Sequence, residues 1–205
     1  MPAELSGMDV VRGLAQRRGV VRPRDLGEHG LPAYYLHRLW QNGELELVER
    51  GLYRWPDAPV SEHHSLVEAA CKVPNGVVCL LSALSFHGLG TQCPEQVWLA
   101  IGRKAHAPKT DLPLRLVRFT DRGLTTGVRR HTIEGVPVRI TTVQRTLCDL
   151  ARFREQIGFD VLEEALLDGW EQDRFTLAGL ARCARACRVA SVLAPYLERL
   201  PCHAT

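Results

Sequence analysis

Gly19, Gly30, Pro32, Asn42-Gly43 and Arg50-Gly51 cut residues 9–55 into short pieces. None of these pieces is long enough to hold together alone in water, so they must fold by packing on one another. In the first piece Asp9 is an expected N-cap, Val10, Val11 and Leu14 recur at helical spacing, and Gly19 suits a left-handed helix end. Residues 20–26 read as a single short helix, with Pro23 tolerated in its first turn because the N–H it lacks has no intrahelical partner there. Gly30 ends that helix and Pro32 opens a third. On a wheel of the third helix Ala33, Leu36, Leu39 and Trp40 fall on one side, while Tyr34, His37, Arg38 and Gln41 fall on the other. After Asn42-Gly43, two runs of strand-forming residues flank Glu49-Arg50-Gly51, a hairpin turn in which Gly supplies the positive φ.

Helix, helix, helix and two-stranded ribbon is the order of a winged helix-turn-helix. In such a module the third helix enters the major groove and the ribbon lies on the backbone or in a neighbouring minor groove. The competing reading is a small helical subdomain whose polar face is merely solvated. The chain's net charge of +3 and pI of about 8.5 are only mildly basic, so local placement has to make the case for DNA. Arg22, Arg24, Arg38, Arg50 and Arg54 are expected on one face, partly offset by Glu28, Glu44, Glu46 and Glu49. This balance implies modest non-specific affinity, with sequence readout supplying more of the binding. Arg38 placed bidentate on a guanine edge is worth about 1–3 kcal/mol of discrimination, and its alternative is a phosphate contact or a solvated arginine.

A chain of 205 residues with 45% hydrophobic residues has material for more than this module. The expected organisation is a tail over 1–8, the winged domain over 9–56, a linker over 57–60 and a second domain over 61–205. In the second domain Ser61 is an expected helix cap, and residues 77–89 form a buried segment that is helical at least in its second half. Residues 97–101 are a core strand, 114–119 a half-exposed strand, and 132–140 a hairpin turning at Glu134-Gly135. Thr141-x-x-Gln144 has capping-box form, so a helix should start there and run to Gly158. Residues 159–168 form an amphipathic helix, another follows a Thr176 cap, and a last short one spans 193–200. The fold class is therefore α+β: an N-terminal winged helix-turn-helix, then a mixed α+β domain with a small sheet and C-terminal helices. Between its strands the basic loop carrying Arg103, Lys104 and Lys109 offers either a second DNA contact or a solvated surface.

Seven cysteines, an odd number without disulfide-scaffold spacing, point to a reducing compartment, and no stretch has the form of a signal segment or a membrane span. The expected location is the cytoplasm. Cys183 and Cys187 are four apart on one helix, with Cys202-His203 beyond. Without a tight Cys-x-x-Cys pair no metal site is expected, and no cofactor. Arg145 and Asp149, four apart, read as a charge pair rather than a catalytic carboxylate, and His87 as packing or capping. No Walker loop, His-Glu-x-x-His, Gly-x-Ser-x-Gly or nucleotidyltransferase arrangement is found, so an enzyme is not expected. A metal-dependent nuclease in the second domain ranks low, since residues 97–101 carry no charged residue and 114–119 only arginines.

Two groups of residues resemble the AbiEi-type antitoxins, the antitoxin half of type IV toxin–antitoxin systems. One comprises Leu39-Trp40-Gln41-Asn42-Gly43-Glu44-Leu45 and Glu49-Arg50-Gly51-Leu52-Tyr53-Arg54. The other comprises Ser82-Ala83-Leu84-Ser85-Phe86-His87-Gly88-Leu89 and Thr141-Thr142-Val143-Gln144-Arg145-Thr146-Leu147-Cys148-Asp149-Leu150. The resemblance runs from about Val10 to Asp168, and the helices after Trp170 lie outside it. It implies a winged domain that binds inverted repeats in double-stranded DNA at its own promoter, two protomers per repeat, and represses the operon. It also implies a C-terminal domain that counters a nucleotidyltransferase-like toxin without a stable complex. Carried over by position, Tyr34, Tyr35, His37, Arg38 and Gln41 would face the major groove, and Arg50 and Arg54 would make wing contacts. A stand-alone regulator with no toxin to oppose is the alternative.

Overall fold

Ser6 opens the first helix, α1 (Gly7–Arg18), its hydroxyl oxygen accepting from Met8 N–H at 3.3 Å. Asp9, the expected cap, instead lies inside the first turn and pairs with Arg12 at 2.6 Å. In this computed structural model, which describes residues 6–58 and 61–200, the chain forms two compact units. Among the described residues, the first unit takes those up to 75 together with 106–112 and 131–138. The second takes 76–105, 113–130 and those from 139 onward. The first unit thus runs on past residues 57–60.

In the first unit the wing is a hairpin of β2 (Glu46–Glu49) and β3 (Leu52–Arg54), turning at Gly51 with φ 80. Residues 20 and 21, expected to begin the second helix, are instead a strand, β1 (Val20–Val21). Val20 lies opposite Arg54 and Val21 opposite Tyr53, giving an antiparallel sheet of order β1-β3-β2. Two β-branched residues satisfy their backbone on β3 and bury their side chains, which a first helical turn ahead of Pro23 would not allow. The second helix, α2 (Pro23–Gly27), is correspondingly shorter, and the third is α3 (Tyr34–Gln41). Val11, Leu14, Val21, Leu26, Leu36, Leu39 and Leu45 form the shared core.

Also in this unit is α4 (His64–Lys72). Ser61, expected to cap it, lies short of it, with His63 as the residue before the helix. Ser61 donates its N–H and its hydroxyl to Glu134, each at 2.8 Å.

The second unit is built on strands β4 (Val77–Val78), β5 (Val97–Gly102), β6 (Leu114–Phe119), β7 (Val128–Ile133) and β8 (Val136–Thr141), in sheet order β6-β5-β4-β8-β7. β5 runs parallel to β6 and antiparallel to β4, and β4 parallel to β8, so the sheet is mixed. The far end of the β7–β8 hairpin, residues 131–138, is counted with the first unit. Helix α5 (Leu80–Phe86) follows β4, and α6 (Val143–Ile157), α7 (Phe159–Glu171), α8 (Leu177–Cys187) and α9 (Ala190–Leu197) close the chain. α6 is capped by Thr142 rather than Thr141, which ends β8 as a buried residue with its hydroxyl 2.8 Å from that of Thr146. Thr176 caps α8 as expected. Leu84, Trp98, Leu147, Leu150, Leu162, Leu180 and Leu193 are part of the core of this unit. The chain is therefore α+β in the anticipated order. No helix among the described residues is long and apolar enough to cross a membrane.

Candidate nucleic-acid interface

Two leucines hold α3 to the first unit. Leu36 and Leu39 are fully buried and Tyr35 is half-buried beside them, so the other residues of the helix face outward. Tyr34 is 53% exposed and Trp40 38%, and His37, Arg38 and Gln41 are exposed as well. Trp40 and Ala33, expected on the inner side, therefore belong to the outer one. With only a narrow apolar stripe to bury, an indole beside it has no pocket to enter. It lies against His37, ring centroids 5.2 Å apart. Tyr35 is half-buried against the apolar core and its ring lies 4.3 Å from that of Tyr34. The hydrogen bond between the two hydroxyls pushes the Tyr34 phenol above its usual range.

The basic residues divide by their partners. Arg22 does not offer its guanidinium outward: Nε and Nη2 donate to Asp25 at 2.9 and 2.7 Å, and Nη1 donates to the Cys71 carbonyl at 3.1 Å. Burial works against its charge, but the Asp25 hydrogen bond and charge outweigh that and keep it protonated. Arg54, directly across the wing from Glu46, is ion-paired with it. Arg24, Arg38 and Arg50 are exposed and make no ion pair among the described residues. The free positive charge of this face therefore comes from α2, α3 and the turn of the wing. Arg12 is bound to Glu44 through Nε at 2.6 Å, which ties α1 to the turn after α3 and pulls the Glu44 carboxyl below its usual range. In the basic loop, Arg103 and Lys104 are exposed in the second unit, and Lys109 is exposed in the first.

A helix with a hydrogen-bonding outer face, a two-stranded wing and unpaired arginines on both is an arrangement suited to duplex DNA. Residues 9–56 match the family model of the transcriptional regulator, AbiEi antitoxin. The AbiEi match begins within α1 and ends just past β3, so it covers the winged part of the 205 residues. No curated protein matches the chain. Among solved structures, the crystal structure of the RV2827C protein from Mycobacterium tuberculosis is similar at 14% identity and a TM-score of 0.49, covering 98% of this chain and 84% of that one.

Beyond the AbiEi-matched segment, the second unit contains a polar cluster on α6. Arg145 Nε donates to both oxygens of Asp149 at 2.9 and 2.8 Å, and Nη1 donates to the Thr126 carbonyl at 2.7 Å. Burial holds the Asp149 carboxyl up at about 6, with Arg145 pulling the other way. His87, at the end of α5, has Nε2 2.7 Å from the Thr141 carbonyl, consistent with a capping and packing role. Cys148, also on α6, lies beside Cys183 and Cys187 of α8. Hydrogen bonds from Cys148 and Cys183 pull the Cys187 thiol below its usual range. Sequence spacing revealed the pair on α8 but not Cys148, because nothing local announces that these two helices pack together.

Proposed function

We propose that this chain is a DNA-binding transcriptional repressor and antitoxin of a type IV toxin–antitoxin operon, acting in the cytoplasm as a binding protein rather than an enzyme. The observation that carries this reading is the outer face of α3, where Tyr34, His37, Arg38 and Gln41 are exposed together on a module that matches AbiEi regulators. Repression follows from two protomers occupying an inverted repeat at the promoter, each with α3 in a major groove and Arg50 against the backbone. Arg22 and Arg54, already paired, hold the module together rather than bind DNA. Arg103, Lys104 and Lys109 are proposed as further phosphate contacts. The antitoxin part, opposition to a nucleotidyltransferase-like toxin without a stable complex, rests on the resemblance of residues 82–89 and 141–150.

The test is binding to a fragment of the protein's own promoter against unrelated competitor DNA across a salt series. Competitor-resistant binding whose log affinity falls linearly with log salt is expected. Arg38→Ala should weaken promoter binding more than random-DNA binding, by about 1–3 kcal/mol if it reads a base. Equal affinity for promoter and competitor sinks the repressor reading.

A further inference from the structure

Cys148 on α6 and Cys183 and Cys187 on α8 place their three Sγ atoms within 4.8 Å of one another, with Cys183 and Cys187 4.0 Å apart. A tetrahedral zinc centre with Zn–S bonds of about 2.3 Å requires sulfurs roughly 3.8 Å apart. The cluster is thus close to ligand spacing, and its donors come from two helices of one core. Buried thiols that only fill space sit among apolar side chains. These do not.

Cys187 lines a cavity of about 300 Å³ together with Arg122, Arg145, Arg152 and Arg188. Arg145 is matched by Asp149, while Arg122, Arg152 and Arg188 make no ion pair among the described residues. Arg152 donates to the carbonyl of Cys187 itself. Three thiolates around a divalent ion leave one net negative charge, which unpaired guanidinium groups stabilise. Those left over suit an anion at the remaining coordination position. All-sulfur donors select a soft or borderline ion over magnesium or calcium, and the tetrahedral preference favours zinc.

We propose that Cys148, Cys183 and Cys187 form a three-thiolate site for Zn²⁺ whose fourth position opens into the arginine-lined cavity and takes water or a small anion. On binding, each sulfur still protonated releases its proton to solvent, and no electron is transferred. The site is independent of DNA binding by the winged module, and either can fail alone.

The reduced full-length protein is titrated with Co²⁺, and sulfur-to-cobalt charge-transfer and ligand-field bands are recorded. One equivalent is expected to bind with a tetrahedral spectrum, to be displaced by Zn²⁺, and to change its ligand-field bands when azide is added. Cys148→Ser, Cys183→Ser and Cys187→Ser should each abolish this spectrum, whereas Cys71→Ser, Cys93→Ser and Cys202→Ser should keep it. Loss in Cys202→Ser overturns the open fourth position by showing a fourth protein thiolate. Because a serine in the core can unfold the chain, alkylation of the unaltered protein is followed in parallel by peptide mass spectrometry. Zn²⁺ should protect Cys183 and Cys187 while the exposed Cys93 reacts as before. No stoichiometric cobalt spectrum, or no protection by zinc, overturns the site.

Discussion

Glu134 gathers three hydrogen bonds, from the N–H and hydroxyl of Ser61 and from His64 Nδ1, the last at 2.7 Å. Burial alone would raise its carboxyl, but these bonds outweigh burial and hold it below the usual range. A carboxylate depressed in the folded state adds stability above its unfolded pKa, about 4.3, and that stability is lost as pH falls through the lower folded value. Glu134→Gln should therefore cost about 1–2 kcal/mol at pH 7 in urea unfolding, with the gap closing in acid as the wild-type carboxylate protonates. The same gap at both pH values would show that charge has no part in it. Individual side chains were unevenly readable from sequence. The Arg145–Asp149 pair was visible from its spacing, because both partners lie on one helix. Arg22 counts as a basic residue in sequence, but a tally of charges does not show that Asp25, in the first turn of α2, takes its guanidinium and also accepts from its N–H at 2.8 Å. A helical wheel puts Trp40 on the inner side because it cannot show how narrow the buried stripe is, and in the fold Trp40 is exposed.

Among the elements, α3 divides an inner face from an outer one most clearly, since Leu36 and Leu39 face the core and Arg38 and Gln41 face out. Leu39→Ala should lower stability by about 2–5 kcal/mol, and Gln41→Ala by no more than about 0.5 kcal/mol. Thermal unfolding compared with DNA affinity for both variants checks this. If Gln41→Ala destabilises as much as Leu39→Ala, the two faces are not divided as described. The order of helices and wing was legible because each piece ends in a glycine or proline signal, and α7 because its apolar period runs unbroken. β1 was not, since a two-residue strand has no period of its own and exists only through its pairing with β3. The start of α6 slipped by one residue for a related reason: Thr141 and Thr142 cap equally well locally, and the pairing of β8 decides between them.

For the whole molecule, α4 is a helix of the first unit that lies beyond the AbiEi match, and it buries Leu66, Val67, Ala69 and Cys71. A fragment ending at residue 75 should consequently melt cooperatively and at higher temperature than one ending at residue 58. Equal melting temperatures would mean that the winged segment is self-sufficient. The first unit also takes residues 131–138, after the chain has spent 76–105 and 113–130 on the second. A ribosome delivers residues strictly in order, at about 5–20 per second, so Ser61 and His64 emerge several seconds before Glu134 exists to receive them. The bonds of Ser61 and His64 to Glu134 must therefore wait until synthesis of the second unit is well advanced. The tempo of translation thereby sets the moment at which the first unit can be completed.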